Sequence, residues 1–464
     1  MKIIIAGAGS IGKHLAELLS KENQDIVVMD DNPEKTESLS ASDCDLMTLN
    51  ASPTSIVGLK EAGVPHADLF IAVMPSETQN VTCCALAHVL GAKKTVARVD
   101  NWEWMQPLAQ EQFKGMGIDS LIYPETLAAV EIIEGLKRSW ARQYWEVHGG
   151  ALVMLGVKLR EEAKELYGKE LKDLCGASAP YHIVAVKRDE QTIIPRGDTK
   201  LQQGDIAYFM TTKKEVPTIR HIVGKDNYAD VKDVMIMGGG NIAYHVIKNM
   251  PEEMHLKVIE QSEARCQKLS ELLDADDAMV IQGDGRDTHL LIDEGIRSMQ
   301  AFCALTPNAE NNILACLAAK RLGVRKTVAQ IENIEYVNLA EKLDIGTIIN
   351  KKTITASHIY RMMMDTDVAS IHRLTIANAD VAEFIAQEGS EITQKPIHKM
   401  HFPKGVTLGG MVRDGVGQHI SGNTQIMPGD IVVVFSLAGV IKEMDHYFAS
   451  PTSVINRLKS ALID

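Results

Sequence analysis

The stretch KIIIAGAGSIG at residues 2–12 decides the fold of this chain. An uninterrupted apolar run leads directly into glycines spaced G-x-G-x-x-G, and a helical pattern follows. An apolar run without alternation is typical of a strand in a parallel sheet that is buried on both faces. In such a sheet the first glycine makes a tight turn, the second lets backbone amides approach a pyrophosphate, and the third lets helix and strand pack closely. The stretch therefore predicts a doubly wound α/β sheet with a phosphate-binding turn.

The same pattern recurs later in the chain as DVMIMGGGNIA at residues 233–243, an offset of 231. The segment HVLGAKKTVAR at residues 88–98 returns as KRLGVRKTVAQ at residues 320–330. The tripeptide Gly-Asp-Ile occurs at both 204–206 and 429–431. A repeat this long indicates that the chain contains two copies of one unit.

Each half combines two unlike modules, an α/β part and a smaller β-rich part. Apolar runs separated by helical patterns indicate βαβ alternation in the first part, and turn-punctuated β runs after about residue 145 indicate a small α+β module. An apolar stripe on the helix between them packs either on its own domain or on a partner subunit. We therefore expect six segments in this order: Rossmann-like lobe 1 (1–123), a crossover helix (124–140), small lobe 1 (141–225), Rossmann-like lobe 2 (231–352), a second crossover helix (353–365) and small lobe 2 (366–464).

Composition excludes several classes of protein. The chain has 464 residues, 45% of them apolar and 23% charged, which is the usage of a folded globular protein rather than a disordered one. A net charge of −13 opposes sequence-independent attraction to nucleic acid. Seven cysteines without a C-x-x-C pair indicate a reduced, cytosolic chain without a cysteine-based metal site. The longest uncharged apolar run has 11 residues, so we expect no membrane-spanning helix and no secretory signal.

The first glycine turn is followed by an acidic residue at the spacing of a dinucleotide-binding fold. Asp30 closes the second predicted strand 18 residues after Gly12, where a carboxylate accepts hydrogen bonds from ribose hydroxyls. No basic residue stands at 31 or 32, which favours NAD(H) or an adenine nucleotide over NADP. Arg98 ends a later strand and is either a phosphate ligand or a solvated surface charge. The candidate binding residues of the first half are Gly7, Ala8, Gly9, Ser10, Ile11, Gly12, Asp30 and Arg98.

The second half repeats this arrangement with substitutions. Glu260 stands 17 residues after the turn, and neutral Gln330 replaces Arg98. Asp284, in a Gly-Asp-Gly segment aligned with residues 50–52, adds a carboxylate that the first half lacks. We expect the two sites to prefer different ligands, although either half could also be a Rossmann domain that has lost its ligand. The candidates of the second half are Gly238, Gly239, Gly240, Asn241, Ile242, Glu260 and Asp284.

The chain as a whole resembles the regulatory subunits of Trk-type potassium-uptake systems, the TrkA family, whose members contain two tandem RCK units. The resemblance rests on the duplicated glycine turns, on Asp30 and Glu260, and on a segment after the fourth strand of each half. That segment is MPSETQN at 74–80 and TPNAENN at 306–312, against a family pattern T-x-x-D-E-x-N. The second copy keeps Thr306, whereas the first departs at Met74. The resemblance adds both residues to the candidate binding set.

The resemblance implies a cytosolic protein, peripheral on the inner face of the cell membrane, that is not an enzyme. It implies a homo-oligomeric ring, expected to be a tetramer, beneath a potassium-translocating membrane subunit, and control of that ring by NAD(H), ATP or ADP. A ligand can shift such a ring between two shapes only by its difference in affinity for them.

Two other functions remain open from the sequence. An NAD-dependent oxidoreductase could use the same glycine turns, but hydride transfer needs an acid or base beside the nicotinamide, and the small lobes resemble each other more than they resemble a catalytic domain. A DNA-binding repressor that senses NADH would need a helix-turn-helix segment, which the sequence does not indicate. We predict no metal site, because His398 and His401 have no cysteine or carboxylate cluster beside them.

Overall fold

The structure is a computed structural model that describes residues 1–20, 24–42, 44–176, 179–189, 191–228, 230–273, 278–363, 368–373, 379–437 and 440–450. The described chain forms two compact units, one of residues 1–127 with 351–363, and one of residues 128–350 with 364–464. None of the helices within those ranges is both long and apolar enough to cross a lipid bilayer.

The first unit contains Rossmann lobe 1, a six-stranded parallel sheet in the order β3-β2-β1-β4-β5-β6. The helices of the first two connections cover one face of this sheet and the later helices cover the other, as in a doubly wound fold. Its strands are β1 (Lys2–Ala6), β2 (Asp25–Asp30), β3 (Met47–Asn50), β4 (Leu69–Ala72), β5 (Thr95–Arg98) and β6 (Ser120–Ile122). Its helices are α1 (Ser10–Ser20), α2 (Pro33–Ser40), α3 (Ile56–Glu61), α4 (Glu77–Leu90) and α5 (Pro107–Gly115).

The isoleucine run of β1 is buried because helices cover both faces of this sheet. Ile4 packs with Phe70 and Cys84 on one face, and Ile3 and Ile5 pack on the other. All three isoleucines have no exposed surface. Burial on both sides explains why the sequence shows a continuous apolar run instead of alternation.

Helix α6 (Pro124–Leu136) follows Rossmann lobe 1, and small lobe 1 follows α6. In the apolar stripe of α6, Ile133 and Leu136 are buried, but Val130 is 51% exposed. Small lobe 1 is an antiparallel sheet in the order β10-β9-β11-β8-β7. Its elements are β7 (Gln143–Val147), β8 (Leu152–Lys158), α7 (Leu171–Leu174), β9 (Tyr181–Arg188), β10 (Gln191–Ile193), β11 (Ile206–Thr211) and α8 (Val216–Ile222).

Rossmann lobe 2 repeats the topology of Rossmann lobe 1, with parallel strands in the order β14-β13-β12-β15-β16-β17. Its strands are β12 (Asp233–Met237), β13 (His255–Glu260), β14 (Met279–Gln282), β15 (Ala301–Ala304), β16 (Lys326–Gln330) and β17 (Thr347–Ile349). Its helices are α9 (Asn241–Lys248), α10 (Glu263–Leu272), α11 (Thr288–Asp293), α12 (Ala309–Arg321) and α13 (Ile334–Lys342).

Helix α14 (Lys351–Met363) follows Rossmann lobe 2 in sequence but belongs to the first unit. Ala356 and Ile359 of α14 are fully buried in a cluster with Leu15 and Leu19 of α1. The second predicted crossover helix therefore buries its apolar side on the lobe of the first half. The part of that prediction at residues 364–365 lies outside the described residues.

Small lobe 2 is an antiparallel sheet in the order β18-β19-β22-β20-β21. Inside the second unit it packs face to face on the sheet of small lobe 1, where Val184 meets Gly409 and Leu152 meets Gly410. Its elements are β18 (Val368–Arg373), β19 (Ala379–Ile385), β20 (Val406–Arg413), β21 (Val416–Gln418), β22 (Ile431–Leu437) and α15 (Asp445–Phe448). The predicted fold class, two doubly wound parallel sheets each followed by a small α+β lobe, is confirmed; the six segment boundaries stay a prediction.

Candidate functional sites at the two glycine turns

Each of the three glycines of the first turn plays a different structural role. Gly7 has a φ of +111°, and a Cβ there would lie 3.1 Å from the backbone nitrogen of Met74. A Cβ on Gly12 would lie 1.8 Å from the carbonyl oxygen of Gly7, so the third glycine brings α1 close to the end of β1. A Cβ on Gly9 would meet nothing within 4 Å. The middle of the turn is therefore the open part, where a ligand phosphate can approach the backbone.

Asp30 is buried beside this turn and joins it to the next helix. One carboxylate oxygen accepts a hydrogen bond from the Ala8 amide at 2.7 Å, and the other accepts one from the Asn32 amide at 2.9 Å. A carboxylate has about four lone-pair sites, so two amides leave acceptor capacity for ribose hydroxyls. Lys35 stands 3.6 Å from the same carboxylate. Positions 31 and 32 alone did not indicate this cation, because the first turn of α2 brings Lys35 back to Asp30.

Asn80 links the turn between β4 and α4 to the end of β5. Its buried carboxamide accepts a hydrogen bond from the Met74 amide at 2.9 Å and donates to the carbonyl oxygens of Met74 and Arg98 at 2.9 and 2.8 Å. Asn80 thus places two candidate residues, Met74 and Arg98, at one edge of the sheet. Asn80 was not among the predicted binding residues, although it is the last residue of the repeated segment at 74–80.

Arg98 is mostly enclosed at this edge, with 18% of its side chain exposed. Its guanidinium pairs with Asp100 at 2.6 Å and donates to the carbonyl oxygen of Met74 at 3.3 Å. The buried Nε has no hydrogen-bond acceptor among the described residues. Burial raises the pKa of Asp100, and Arg98 acts in the opposite direction. Arg98 is therefore a held cation with an unused donor rather than a freely solvated surface charge.

The second turn reproduces the geometry of the first. Gly238 has a φ of +102°, and a Cβ there would lie 3.1 Å from Cγ2 of Thr306. A Cβ on Gly240 would meet nothing within 4 Å. Glu260 accepts from the amides of Gly239 at 2.7 Å and Ser262 at 2.8 Å, as Asp30 does in the first half. Asn241 and Ile242 begin α9, as Ser10 and Ile11 begin α1.

The edge of the second site differs in charge from that of the first. Asn312 accepts from the Thr306 hydroxyl at 2.6 Å and donates to the carbonyl oxygen of Gln330 at 2.8 Å. Gln330 donates to Glu332 at 3.1 Å, where the first half has the ion pair between Arg98 and Asp100. The second site therefore keeps the asparagine clamp, the carboxamide of Asn80 or Asn312 that joins this turn to the end of the fifth strand, but it has a neutral glutamine in place of the arginine.

Asp284 follows β14 and is paired with Arg286 at 2.6 Å. Hydrogen bonds from Arg286 lower the pKa of Asp284. A Cβ on the neighbouring Gly285 would lie 2.3 Å from the Met237 side chain, which places this turn against the end of β12. The strand register pairs Asn50 with Asp30 and Gln282 with Glu260, so the counterpart of Asp284 is Ser52. The alignment with residues 50–52 is therefore corrected by one position.

Comparison with known proteins identifies the family. The TrkA-N domain matches residues 3–124 and 234–351, more than half of the chain, and the TrkA-C domain matches residues 154–224. The Trk system potassium uptake protein TrkA of Halomonas elongata is 30% identical to this chain, in an alignment that covers 94% of this chain and 95% of the relative. The TrkA homolog 1 of Methanosarcina mazei is 29% identical, covering 97% of this chain and 100% of its own.

A solved structure supports the fold assignment independently. The structure described as the GsuK channel bound to NAD superposes with a TM-score of 0.56 at 17% identity, over 96% of this chain and 78% of that one. At this identity the likeness concerns the fold alone. The matched domains and full-length relatives show that this chain belongs to the family of TrkA proteins of the Trk potassium uptake system.

Proposed function

We propose that this chain is a regulatory subunit that binds NAD(H) or adenine nucleotides in its two Rossmann lobes and thereby controls a potassium-translocating membrane protein. The observation that carries the proposal is the duplicated turn geometry. Gly9 and Gly240 are open at both turns, and Asp30 and Glu260 accept the same pair of amides. The names of the relatives and the NAD in the GsuK structure support it.

The residues at the first turn fit a nucleotide. A pyrophosphate would occupy the open side of Gly9 at the start of α1, where backbone amides and the helix end favour an anion. Ribose hydroxyls would bind Asp30, and the exposed part of the Arg98 guanidinium would bind a phosphate oxygen. The second turn offers the same acceptors without the arginine. ATP or ADP in the first lobe and NAD(H) in the second is the assignment that this difference favours.

Regulation would follow from unequal binding to two shapes of an assembly. Ligands shift a conformational equilibrium only by their differential affinity for its states. In a homo-oligomeric ring, a small change in each lobe is repeated by symmetry and adds at the docking site of the membrane protein. We propose a tetrameric ring of this chain, peripheral on the cytoplasmic face of the membrane.

Calorimetry on the full chain tests nucleotide binding directly. We expect ADP, ATP and NADH to bind. Gly9→Asp should lower nucleotide affinity at the first site, which contains Arg98, by at least 100-fold, and Gly240→Asp should lower it at the second site by at least 100-fold. Neither glycine has a positive φ, and a Cβ at either meets no atom, so both variants should fold. Gly115→Asp on α5, where a Cβ also meets nothing within 4 Å, is the matched control. Absence of heat with all three nucleotides would refute the proposal.

Two further measurements separate a regulator from an enzyme. The chain should co-purify with a potassium-translocating membrane protein, and potassium flux through that protein in vesicles should change when nucleotide is added. We propose that the chain itself performs no hydride transfer, so NADH absorbance should stay constant with carbonyl substrates present. Steady turnover of NADH would favour the oxidoreductase instead.

A further inference from the structure

A dense group of ionic contacts joins small lobe 1 to Rossmann lobe 2 within the second unit. Asp344, in the turn between α13 and β17, is the carboxylate at its centre. Four cations contact its side chain: Arg142, Lys158 at 3.4 Å, Arg160 at 2.5 Å and Lys320 at 3.4 Å. Three of them, Arg142, Lys158 and Arg160, come from small lobe 1.

One more ion pair and one lysine hydrogen bond extend this contact. Lys187 of small lobe 1 pairs with Glu341 of α13 at 2.5 Å. Lys326, at the start of β16, is fully enclosed and donates to the carbonyl oxygen of Ala141 at 2.6 Å. Five basic residues therefore pair with two carboxylates, and Asp344 is the shared partner of four of them.

The backbone at Asp344 is one that glycine adopts more easily. Its φ is +56°, in the left-handed region where a side chain is strained. In the first half the counterpart is Gly117, with a φ of +84°, and the counterpart of Glu341 is Lys114. Rossmann lobe 2 therefore carries an aspartate where its own repeat carries the unstrained residue.

Three cations of small lobe 1, Lys158, Arg160 and Lys187, have no charged counterpart in small lobe 2. Strand register makes Ile385 the counterpart of Lys158 and Val412 the counterpart of Lys187. Gln387 stands at the position of Arg160. Both sides of the contact thus differ from their counterparts in the other half, in the carboxylates of one lobe and the cations of the other.

The electrostatics of the group require a carboxylate at its centre. Burial lowers the pKa values of Arg142, Lys158 and Lys320, because each charge has lost water. Burial opposes ionisation of Asp344 as well, but the surrounding cations hold the pKa of its carboxyl far below its ordinary value. Without that carboxylate, four neighbouring positive charges would repel each other in a poorly solvated space.

We propose that Arg142, Lys158 and Arg160 form a carboxylate socket on small lobe 1, and that Asp344 of Rossmann lobe 2 occupies it as a latch between the two lobes. The latch lies near the start of β16, whereas the second candidate nucleotide site includes Gln330 at the end of the same strand. The proposal rests on the contacts of the second unit and does not depend on nucleotide binding, so either can fail without the other.

Hydrogen exchange of the full chain, with and without formate, tests the latch. In Asp344→Gly the backbone remains relaxed, because glycine occupies the counterpart position. We expect amides of β7, β8 and α13 to exchange at least tenfold faster than in the unaltered chain. Formate, which supplies the missing carboxylate, should restore most of the protection, and chloride at equal ionic strength should restore less. Asp414→Gly, an exposed aspartate with a φ of +52°, is the control and should change none of these amides.

A second variant distinguishes loss of the carboxylate from general unfolding. In the Asp344→Gly background, Arg160→Gln removes one surplus cation and should slow exchange again at least threefold. Unchanged exchange in Asp344→Gly would overturn the latch. Faster exchange that formate reverses no better than chloride, or that Arg160→Gln does not slow, would overturn the carboxylate socket.

Discussion

The two Rossmann lobes share their internal hydrogen bonds and differ at the sheet edge where we propose that a ligand binds. Asp30 and Glu260 accept equivalent amides, and Asn80 and Asn312 make equivalent bonds to the ends of β5 and β16. The ion pair of Arg98 with Asp100 in one lobe is replaced by a bond from Gln330 to Glu332 in the other. The two copies therefore share what holds the turns in place and differ in charge at the proposed phosphate position.

The largest expected effect comes from the clamp that both lobes share. Asn80→Ala and Asn312→Ala each leave backbone groups unpaired in the turn after the fourth strand of the lobe and at the end of its fifth strand, at about 1–3 kcal/mol per group. We expect the local opening free energy of the affected turn to fall by about 3 kcal/mol in each lobe, measured by native-state hydrogen exchange. Gln79→Ala, the exposed neighbour on α4, should change it little. An effect in one lobe alone would show that the clamps are not equivalent.

The difference between Arg98 and Gln330 predicts that substitutions at these positions change the ATP affinity of the two lobes in opposite directions. Removing a charge-assisted hydrogen bond to phosphate costs about 1.5–3 kcal/mol, so Arg98→Gln should weaken ATP binding in the first lobe by about 10- to 100-fold. Gln330→Arg should have the opposite effect in the second lobe and strengthen ATP binding there. Isothermal titration calorimetry of Arg98→Gln in the Gly240→Asp background reports on the first lobe alone. Titration of Gln330→Arg in the Gly9→Asp background reports on the second lobe alone. Equal ATP affinities of Arg98→Gln and the unaltered chain would exclude Arg98 as a phosphate ligand.

A difference in pH dependence distinguishes two equivalent lysines. Lys94 in the first lobe is exposed, whereas burial lowers the pKa of Lys326 from 10.5 to about 7, helped by the charge of Arg142. Between these pH values the unfolded chain binds more protons at this position, so stability falls as pH drops from 10.5 toward 7. The slope is at most about 1.4 kcal/mol per pH unit.

Urea unfolding followed by circular dichroism across pH 7 to 10 measures this slope. Lys326→Met should abolish the contribution, and Lys94→Met should leave it in place. If both variants keep the pH dependence of the unaltered chain, Lys326 remains charged in the folded protein.

Local sequence patterns predicted the fold and the two glycine turns because short-range geometry controls both. The roles of Gly7 and Gly12 follow from a tight turn and a close helix, which the spacing alone specifies. The bond of Asn80 to the carbonyl oxygen of Arg98 spans 18 residues, and no periodicity indicates it. The return of Lys35 to Asp30 depends on where α2 begins, which its Asn32 cap decides.

The sequence by itself determined the duplication, the doubly wound class of each Rossmann lobe and the positions of the candidate turns, because these follow from strand and turn chemistry within short segments. Only the tertiary structure decided which lobes meet. The packing of α14 on α1 and the cations around Asp344 join residues separated by hundreds of positions. Such contacts depend on how finished lobes dock, and single charges in a surface-like sequence carry no sign of the partner they will meet.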